Sequence, residues 1–233
     1  MTTLADRMKG YEDVARHSLT RRVPVVLRVD GRAIHTWGRK LQKPFDRVFM
    51  EAMLTAAMAA SREMQGFKLG YVQSDEASFL LTDYDDLTTE PWFGYCQPKL
   101  VSITASLMTA RFAEQWVTAQ EYPSFDARAF NVPADDVANY FLWRAKDWHR
   151  NSVHMYARAQ FSHRQCHGKK LPDLHEMLHA VGRNWALDLT AWQRNGAWIV
   201  AGERERECVD SVLPRYGDVG PLVDSVLPKG EDA

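Results

Sequence analysis

FKLGYVQSDEASFLLT, residues 67–82, reads as a β-hairpin. Two runs rich in β-branched and aromatic side chains, 67–73 and 77–82, flank a polar tip, Ser74-Asp75-Glu76, of the kind that reverses a chain. Upstream, 24–30 (PVVLRVD) is a third β-rich run, closed by Gly31. Between them, 45–64 carries Ala, Met and Leu at helical spacing with neither Gly nor Pro, and Gly66 ends the pattern. Downstream, helical spacing returns over 98–118, and 127–132 is a further strand before Pro133. The order is therefore βαββαβ. It predicts an α+β fold of the split βαβ, ferredoxin-like type: an antiparallel sheet with its first and third strands central and helices on one face.

Beyond Pro133 the spacing is helical over 135–161 and 174–181, until Asn195-Gly196 interrupts it before 197–201. The chain thus divides into a sheet domain, 1–133, and a mainly helical subdomain with an extended tail, 134–233. Near its end VDSVLP occurs twice, at 209–214 and 223–228, a duplication too short to build a solenoid.

With 45% apolar side chains, 233 residues suffice to bury a core. No apolar run approaches the roughly 20 residues that span a bilayer, and acidic residues follow Met1 closely, so neither membrane insertion nor a signal peptide is expected. A cytoplasmic protein is expected. Three widely spaced cysteines, Cys96, Cys166 and Cys208, support neither a disulfide framework nor a Cys-based zinc site. A net charge of -1 leaves nucleic-acid binding open, because binding depends on where the basic residues cluster. Local clusters occur at Arg21-Arg22, at Arg39, Lys40 and Lys43, at Arg164, Lys169 and Lys170, and at Arg204 and Arg206.

The chemical signal lies where the first strand and the hairpin end. Asp30 closes a buried strand, followed by a glycine that allows a sharp turn, while Asp75 sits at the hairpin tip. With strands one and three paired, the two carboxylates converge on one patch. Hard oxygen ligands of this kind suit Mg²⁺, and two such ions can clamp an in-line phosphoryl displacement.

Five stretches carry a family likeness: VVLRVDGRAIH (25–35), KPFD (43–46), GYVQSDEASFLL (70–81), SITASLMTARF (102–112) and FDARAFNVP (125–133). In this order and spacing they closely resemble successive motifs of the tRNA-His guanylyltransferase family. The resemblance implies a polymerase-type palm over 1–133 and a 3'-to-5' nucleotidyltransferase that extends the 5' end of tRNA. By that likeness ATP activates the 5'-phosphate, or a triphosphate is used directly, and the 3'-hydroxyl of GTP or another templated nucleotide attacks it. Partners would be tRNA and nucleoside triphosphates, the cofactor two Mg²⁺ ions, and the assembly a homotetramer, a dimer of dimers.

The resemblance also implies roles, position by position. Asp30 and Asp75 match the metal-binding aspartates, Gly31 the glycine whose carbonyl reaches a metal, and Glu76 a carboxylate supporting them. Lys43 and Lys99 match triphosphate-contacting lysines, while Arg28, Arg32, His35, Ser74 and Arg128 fall on positions lining the nucleotide and activation pocket. For tRNA contact the corresponding segment is His149-Arg150-Asn151-Ser152, where eukaryotic members read His-Ile-Asn-Asn. Only His149 and Asn151 match, so restriction to tRNA-His is not implied; the segment resembles members that repair 5'-truncated tRNAs.

Two rival readings make different demands. His175-Glu176-Met177-Leu178-His179 spells HExxH, and two histidines at i and i+4 can hold zinc beside a glutamate base. Trp185 stands where an extended motif needs its third histidine, and Glu203 or Glu205 would have to substitute. A noncatalytic RNA-binding palm is the other, and it has no use for two converging carboxylates that would repel an RNA backbone.

Overall fold

The structure is a computed structural model describing residues 2–116, 121–201, 206–209 and 218–228, with 206–209 described through the backbone alone. In chain order its elements are α1 (Leu4–Asp13), β1 (Val25–Gly31), α2 (Ile34–Trp37), α3 (Arg47–Arg62), β2 (Phe67–Gln73), β3 (Glu76–Leu81), α4 (Gln97–Gln115), β4 (Phe125–Asn131), α5 (Val137–Gln160), α6 (His163–Cys166), α7 (Leu171–Ala180), α8 (Trp185–Asp188), α9 (Ala191–Asn195), β5 (Ala197–Ala201), β6 (Arg206–Val209) and α10 (Val219–Val226). No described helix is long and apolar enough to cross a membrane.

Sheet order is β4-β1-β3-β2-β5-β6, with β1 antiparallel to both β3 and β4. The first four strands reproduce the split βαβ order expected from the hairpin and its flanks. The last two do not belong to that expectation, because β5 extends the sheet from β2 and β6 from β5. The C-terminal half therefore adds strands to the sheet as well as helices.

Side-chain alternation on the strands sorts the core into two layers. Val25, Leu27 and Val29 of β1 and Phe79 of β3 face α3 and α4, packing with Met53, Ala56, Leu100, Met108 and Phe112. Val26, Leu69, Tyr71 and Leu80 point the other way, against Phe141 and Ala145 of α5 and Val219 and Val223 of α10. Helices thus cover both faces, not one. Leu27 and Phe79 are wholly buried, so truncating either to Ala would cost on the order of 2–5 kcal/mol.

A third cluster joins the C-terminal half of α5 to α7 and α8 through Trp148, Val153, Tyr156, Leu174, Leu178 and Trp185, with Phe45 and Met50 reaching in from the start of α3. The second VDSVLP copy is not an extended tail, since its first four residues close α10. An apolar Val219/Val223 pair at i, i+4 holds that helix down, which a local reading of VDSVLP misses. The first copy lies outside the described residues apart from Val209. Cys96 and Cys166 are free and buried, as the odd count and wide spacing suggest; the Cys208 side chain lies outside the described residues.

Candidate active site

Local sequence places the two carboxylates at one end of the sheet. β1 ends at Gly31, whose N–H donates to the Asp75 carbonyl at 3.0 Å, stitching the strand end to the hairpin tip. Register sets Asp30 opposite Glu76 on β3 and opposite Asp126 on β4, so these three side chains share the α5 face. Gly31 matters for its size. A Cβ there would lie 3.0 Å from the Asp75 Cβ and 3.1 Å from its Oδ2, which only a bare backbone avoids.

Electrostatically the tip is under tension. Burial, with the negative charges of Asp30 and Glu76 adding to it, pushes the Asp75 carboxyl up to about 6, against opposing hydrogen bonds from its own backbone and Ser74. Among the described residues neither Asp30 nor Asp75 is in an ion pair. Glu76 differs: Arg144 of α5 grips it with Nε at 2.6 Å and a second guanidinium nitrogen at 2.7 Å, and Arg28 Nε stands 3.8 Å away. Both oxygens of Glu76 are thereby engaged, which suits a carboxylate that orders its neighbours rather than one that binds a ligand.

Whether these residues fit a divalent ion is a question of donor type. Among the described residues no three His, Cys, Asp or Glu side chains are grouped to hold a metal. Zinc catalysis needs about three protein ligands, whereas Mg²⁺ is held by one or two carboxylates completed by substrate phosphates and water. Two unpaired aspartates with charge repulsion between them fit the second pattern.

Two cavities flank the tip, with Ser74, Trp148 and Met155 lining both. The first, about 150 Å³, lies between the tip, α2 and the start of α3; its walls are apolar, from Ile34, Leu41, Phe49 and Trp148, with His35 and Lys43 among its polar lining. Lys43 Nζ donates to the Gly38 carbonyl at 3.2 Å. The second cavity, about 510 Å³, lies between the tip and α5 and is lined by Asp75, Arg144, Asp147, Asn151, His154 and Arg158. Ser74 holds its position with a φ of 47°, a left-handed turn residue between the strands.

The remaining expected residues divide. Arg28 and Arg128 are register partners on β1 and β4, two guanidinium groups opposite one another on the face that carries Asp30. Like charges directly opposite are unfavourable unless an anion sits between or near them. Arg32 is exposed beside the site, its N–H bonded to the Ser124 carbonyl at 2.8 Å. Lys99 is not brought in. It starts α4 near Gln97, whose side chain donates to the Ala129 carbonyl, while Thr109 ten residues on reaches Phe125 at the Asp30 end. At 1.5 Å per residue, about 15 Å of helix separates Lys99 from the aspartates' end of the sheet.

On α5, Asn151 lines the second cavity and donates to Asp147 at 3.3 Å; exposed Arg150 pairs with the same aspartate. His149 faces away from the tip, its ring 4.7 Å from Trp185, and burial and the neighbouring His175 hold it below the usual histidine range. The packed reading of His149 is the one the coordinates favour. Arg21, of the first basic cluster, bonds Asp83 at 3.3 Å, while Arg204 lies outside the described residues and Arg206 is described only through its backbone. In the HExxH segment the two histidine rings are 6.5 Å apart on α7, and His175 rests edge-on against Trp185 at 5.9 Å. His175 thus packs α7 against Trp185 while His179 is exposed; Glu203 and Glu205 lie outside the described residues.

Arg144, Asp147, His154 and Arg158 carry no expectation from the motifs. A signal was present: 144, 147, 151, 154 and 158 step by three and four, one stripe of a helix. A polar stripe on an otherwise apolar-faced helix marks a second lined surface.

The family described as tRNAHis guanylyltransferase matches residues 5–133. A bacterial tRNA(His) guanylyltransferase-like protein solved in complex with ATP superposes with a TM-score of 0.91 at 38% identity, covering 96% of this chain and 99% of that one. One in complex with GTP gives 0.84 at 35% identity, covering 96% and 98%. The tRNA(His) guanylyltransferase of Schizosaccharomyces pombe is 28% identical over 211 residues, 82% of this chain and 78% of its own length.

Proposed function

Because this chain belongs to the tRNAHis guanylyltransferase family, a family of nucleotidyltransferases, we propose that it adds nucleotides to the 5' end of tRNA in the 3'-to-5' direction, with 5'-truncated tRNAs as preferred acceptors. The observation that carries this reading is the meeting of Asp30 and Asp75 at one strand end, unpaired among the described residues and with Asp75 lifted to about 6. Ionised together they form a site that attracts cations, the arrangement phosphoryl transfer needs.

The step joins the 3'-hydroxyl oxygen of the incoming nucleotide to the α-phosphorus of the RNA's 5' end, the phosphorus bonded to the RNA's own 5' oxygen. Pyrophosphate departs from a triphosphorylated end, and AMP from an adenylylated one; the hydroxyl proton passes to solvent or a nearby base. Positioning and neutralisation of charge carry most of the rate in such reactions. Asp30 and Asp75, with the Gly31 carbonyl, would hold two Mg²⁺ ions, whose chemistry is to neutralise the attacking and leaving oxygens.

The chain's own residues supply the rest. Apolar walls in the first cavity accept a planar base, and Lys43, Ser74 and His35 supply donors for its phosphates. Arg28 on β1 and Arg128 on the edge strand β4, register partners, form a fork pair for a further phosphate. Glu76, fixed by Arg144, holds the strand end against the tip and adds to the field that keeps Asp75 poised. Association as a dimer of dimers belongs to the same proposal, and sedimentation of the purified chain decides it.

The test incubates purified protein with Mg²⁺, ATP and GTP and two labelled RNAs, a tRNA-His transcript and a tRNA lacking its first nucleotide. Extension of the truncated tRNA is expected, and faster than any extension of the tRNA-His transcript. No extension of either, even with triphosphorylated 5' ends supplied, rejects the assignment.

A further inference from the structure

Resting on that reading, we propose that the cavity between the hairpin tip and α5 seats the 5'-terminal phosphates of the acceptor RNA, with Arg158 and His154 as its anion-binding side chains. The charge inventory of this cavity is uneven. Arg144 is consumed by Glu76 and Asp147, and Arg150 beside the cavity is consumed by Asp147. Arg158 makes no ion pair among the described residues, and His154 no hydrogen bond. What remains is Asp75 at one side and two uncompensated basic groups on the facing helix.

Those two basic groups are four residues apart on α5, neighbours on one helix face. Their mutual repulsion is visible on His154, which burial first, and then Arg158 and Arg150, hold below the usual histidine range. Arg158 is a cation with no carboxylate partner among the described residues, and His154 beside it, its neutral form favoured, offers a ring N–H; an anion satisfies both. The one that fits the cavity's other wall is a phosphate chain, because an ion held by Asp75 would take phosphate oxygens as its remaining ligands.

Geometry of the reaction then separates the two cavities. An in-line displacement brings the attacking and leaving groups to opposite sides of the reacting phosphorus. The tip carrying Ser74 and Asp75 stands between the small Lys43 cavity and the larger Arg158 cavity. The smaller, apolar-walled space suits a nucleotide. The larger, polar one, open along α5, suits an RNA end with its phosphates, which a guanidinium fork binds in two-point fashion.

Equilibrium binding tests this without turnover. A truncated tRNA carrying a 5'-triphosphate and the same RNA ending in a 5'-hydroxyl are titrated, by fluorescence anisotropy with no nucleotide present, into wild type, Arg158→Ala, Arg158→Lys and His154→Asn; GTP binding is measured separately by calorimetry. Wild type should prefer the triphosphorylated end. Arg158→Ala should lose roughly tenfold of that preference, Arg158→Lys should keep part of it, His154→Asn should fall between, and GTP affinity should stay unchanged. Arg158 is exposed near the end of α5, so its removal leaves the fold intact, which circular dichroism verifies. A preference that survives in Arg158→Ala and His154→Asn, or is absent from wild type, overturns the proposal, as does GTP affinity falling in step with it. If wild type extends the truncated tRNA yet Arg158→Ala keeps its preference, the seat is wrong and the activity stands. If wild type extends nothing but the preference tracks Arg158, the seat stands and the activity falls.

Discussion

Asp75→Asn is expected to make the protein more stable while abolishing nucleotide addition. Asp75 is held at about 6 against 3.8 for a free carboxyl, which costs up to about 3 kcal/mol for keeping it ionised in the fold. The sign follows from proton counting. Between 3.8 and 6 the folded chain retains a proton that the unfolded chain has released, so stability falls as pH rises through that window and stays low above it. An amide never ionises and escapes the cost. Allowing for relaxation around a partly buried group, the variant should gain about 2 kcal/mol at pH 8, or roughly 4–8 °C in melting temperature for a chain of this size. Because the cost builds as the unfolded chain's carboxyl releases its proton, from about 3.8 up to about 6, the gain should shrink to about half at pH 5 and vanish below pH 4. Differential scanning fluorimetry at pH 5, 6, 7 and 8 reads it directly, and millimolar Mg²⁺ should narrow the gap at pH 8. An equal gain at all four pH values, or a variant less stable than wild type at pH 8, would refute the electrostatic account of the tip.

Arg144→Ala leaves the Glu76 carboxylate buried without its partner, so urea unfolding should show a loss of about 3–5 kcal/mol, while joint replacement of Arg144 and Glu76 by Met and Leu recovers most of it without restoring activity. Gly31→Ala drives a methyl group into the Asp75 side chain; extension should fall tenfold or more for a stability loss of about 1–3 kcal/mol, as read by single-turnover assay and thermal melts. Glu176→Gln, on the exposed side of α7, should leave extension unchanged, and elemental analysis of the purified chain should find no stoichiometric zinc.

Much of the fold was readable along the chain. The run 67–73 is bounded as β2, and the strand, helix and hairpin order set the β4-β1-β3-β2 core, because period-two and period-3.6 spacings are carried by near neighbours. Asp30 and Asp75 were identifiable for the same reason: each ends an element whose limits are local. The α5 stripe through Arg144 and Arg158 was equally present in the spacing, but nothing nearby says which surface it faces.

Contacts between distant segments decided the rest. Pairing of β5 with β2, the docking of α10, and the cover on both sheet faces arise where apolar surfaces far apart in the chain meet, and no local pattern names the partner. The same holds at the site. A carboxylate next to Asp75 in sequence is captured by a helix 68 residues away, while Lys99 starts α4 alongside the Ala129 level of β4 rather than at the aspartates' end. Residue type and spacing select which groups are capable of the chemistry; the packed sheet and helices set which of them are left uncompensated, since charge and burial depend on every neighbour in space.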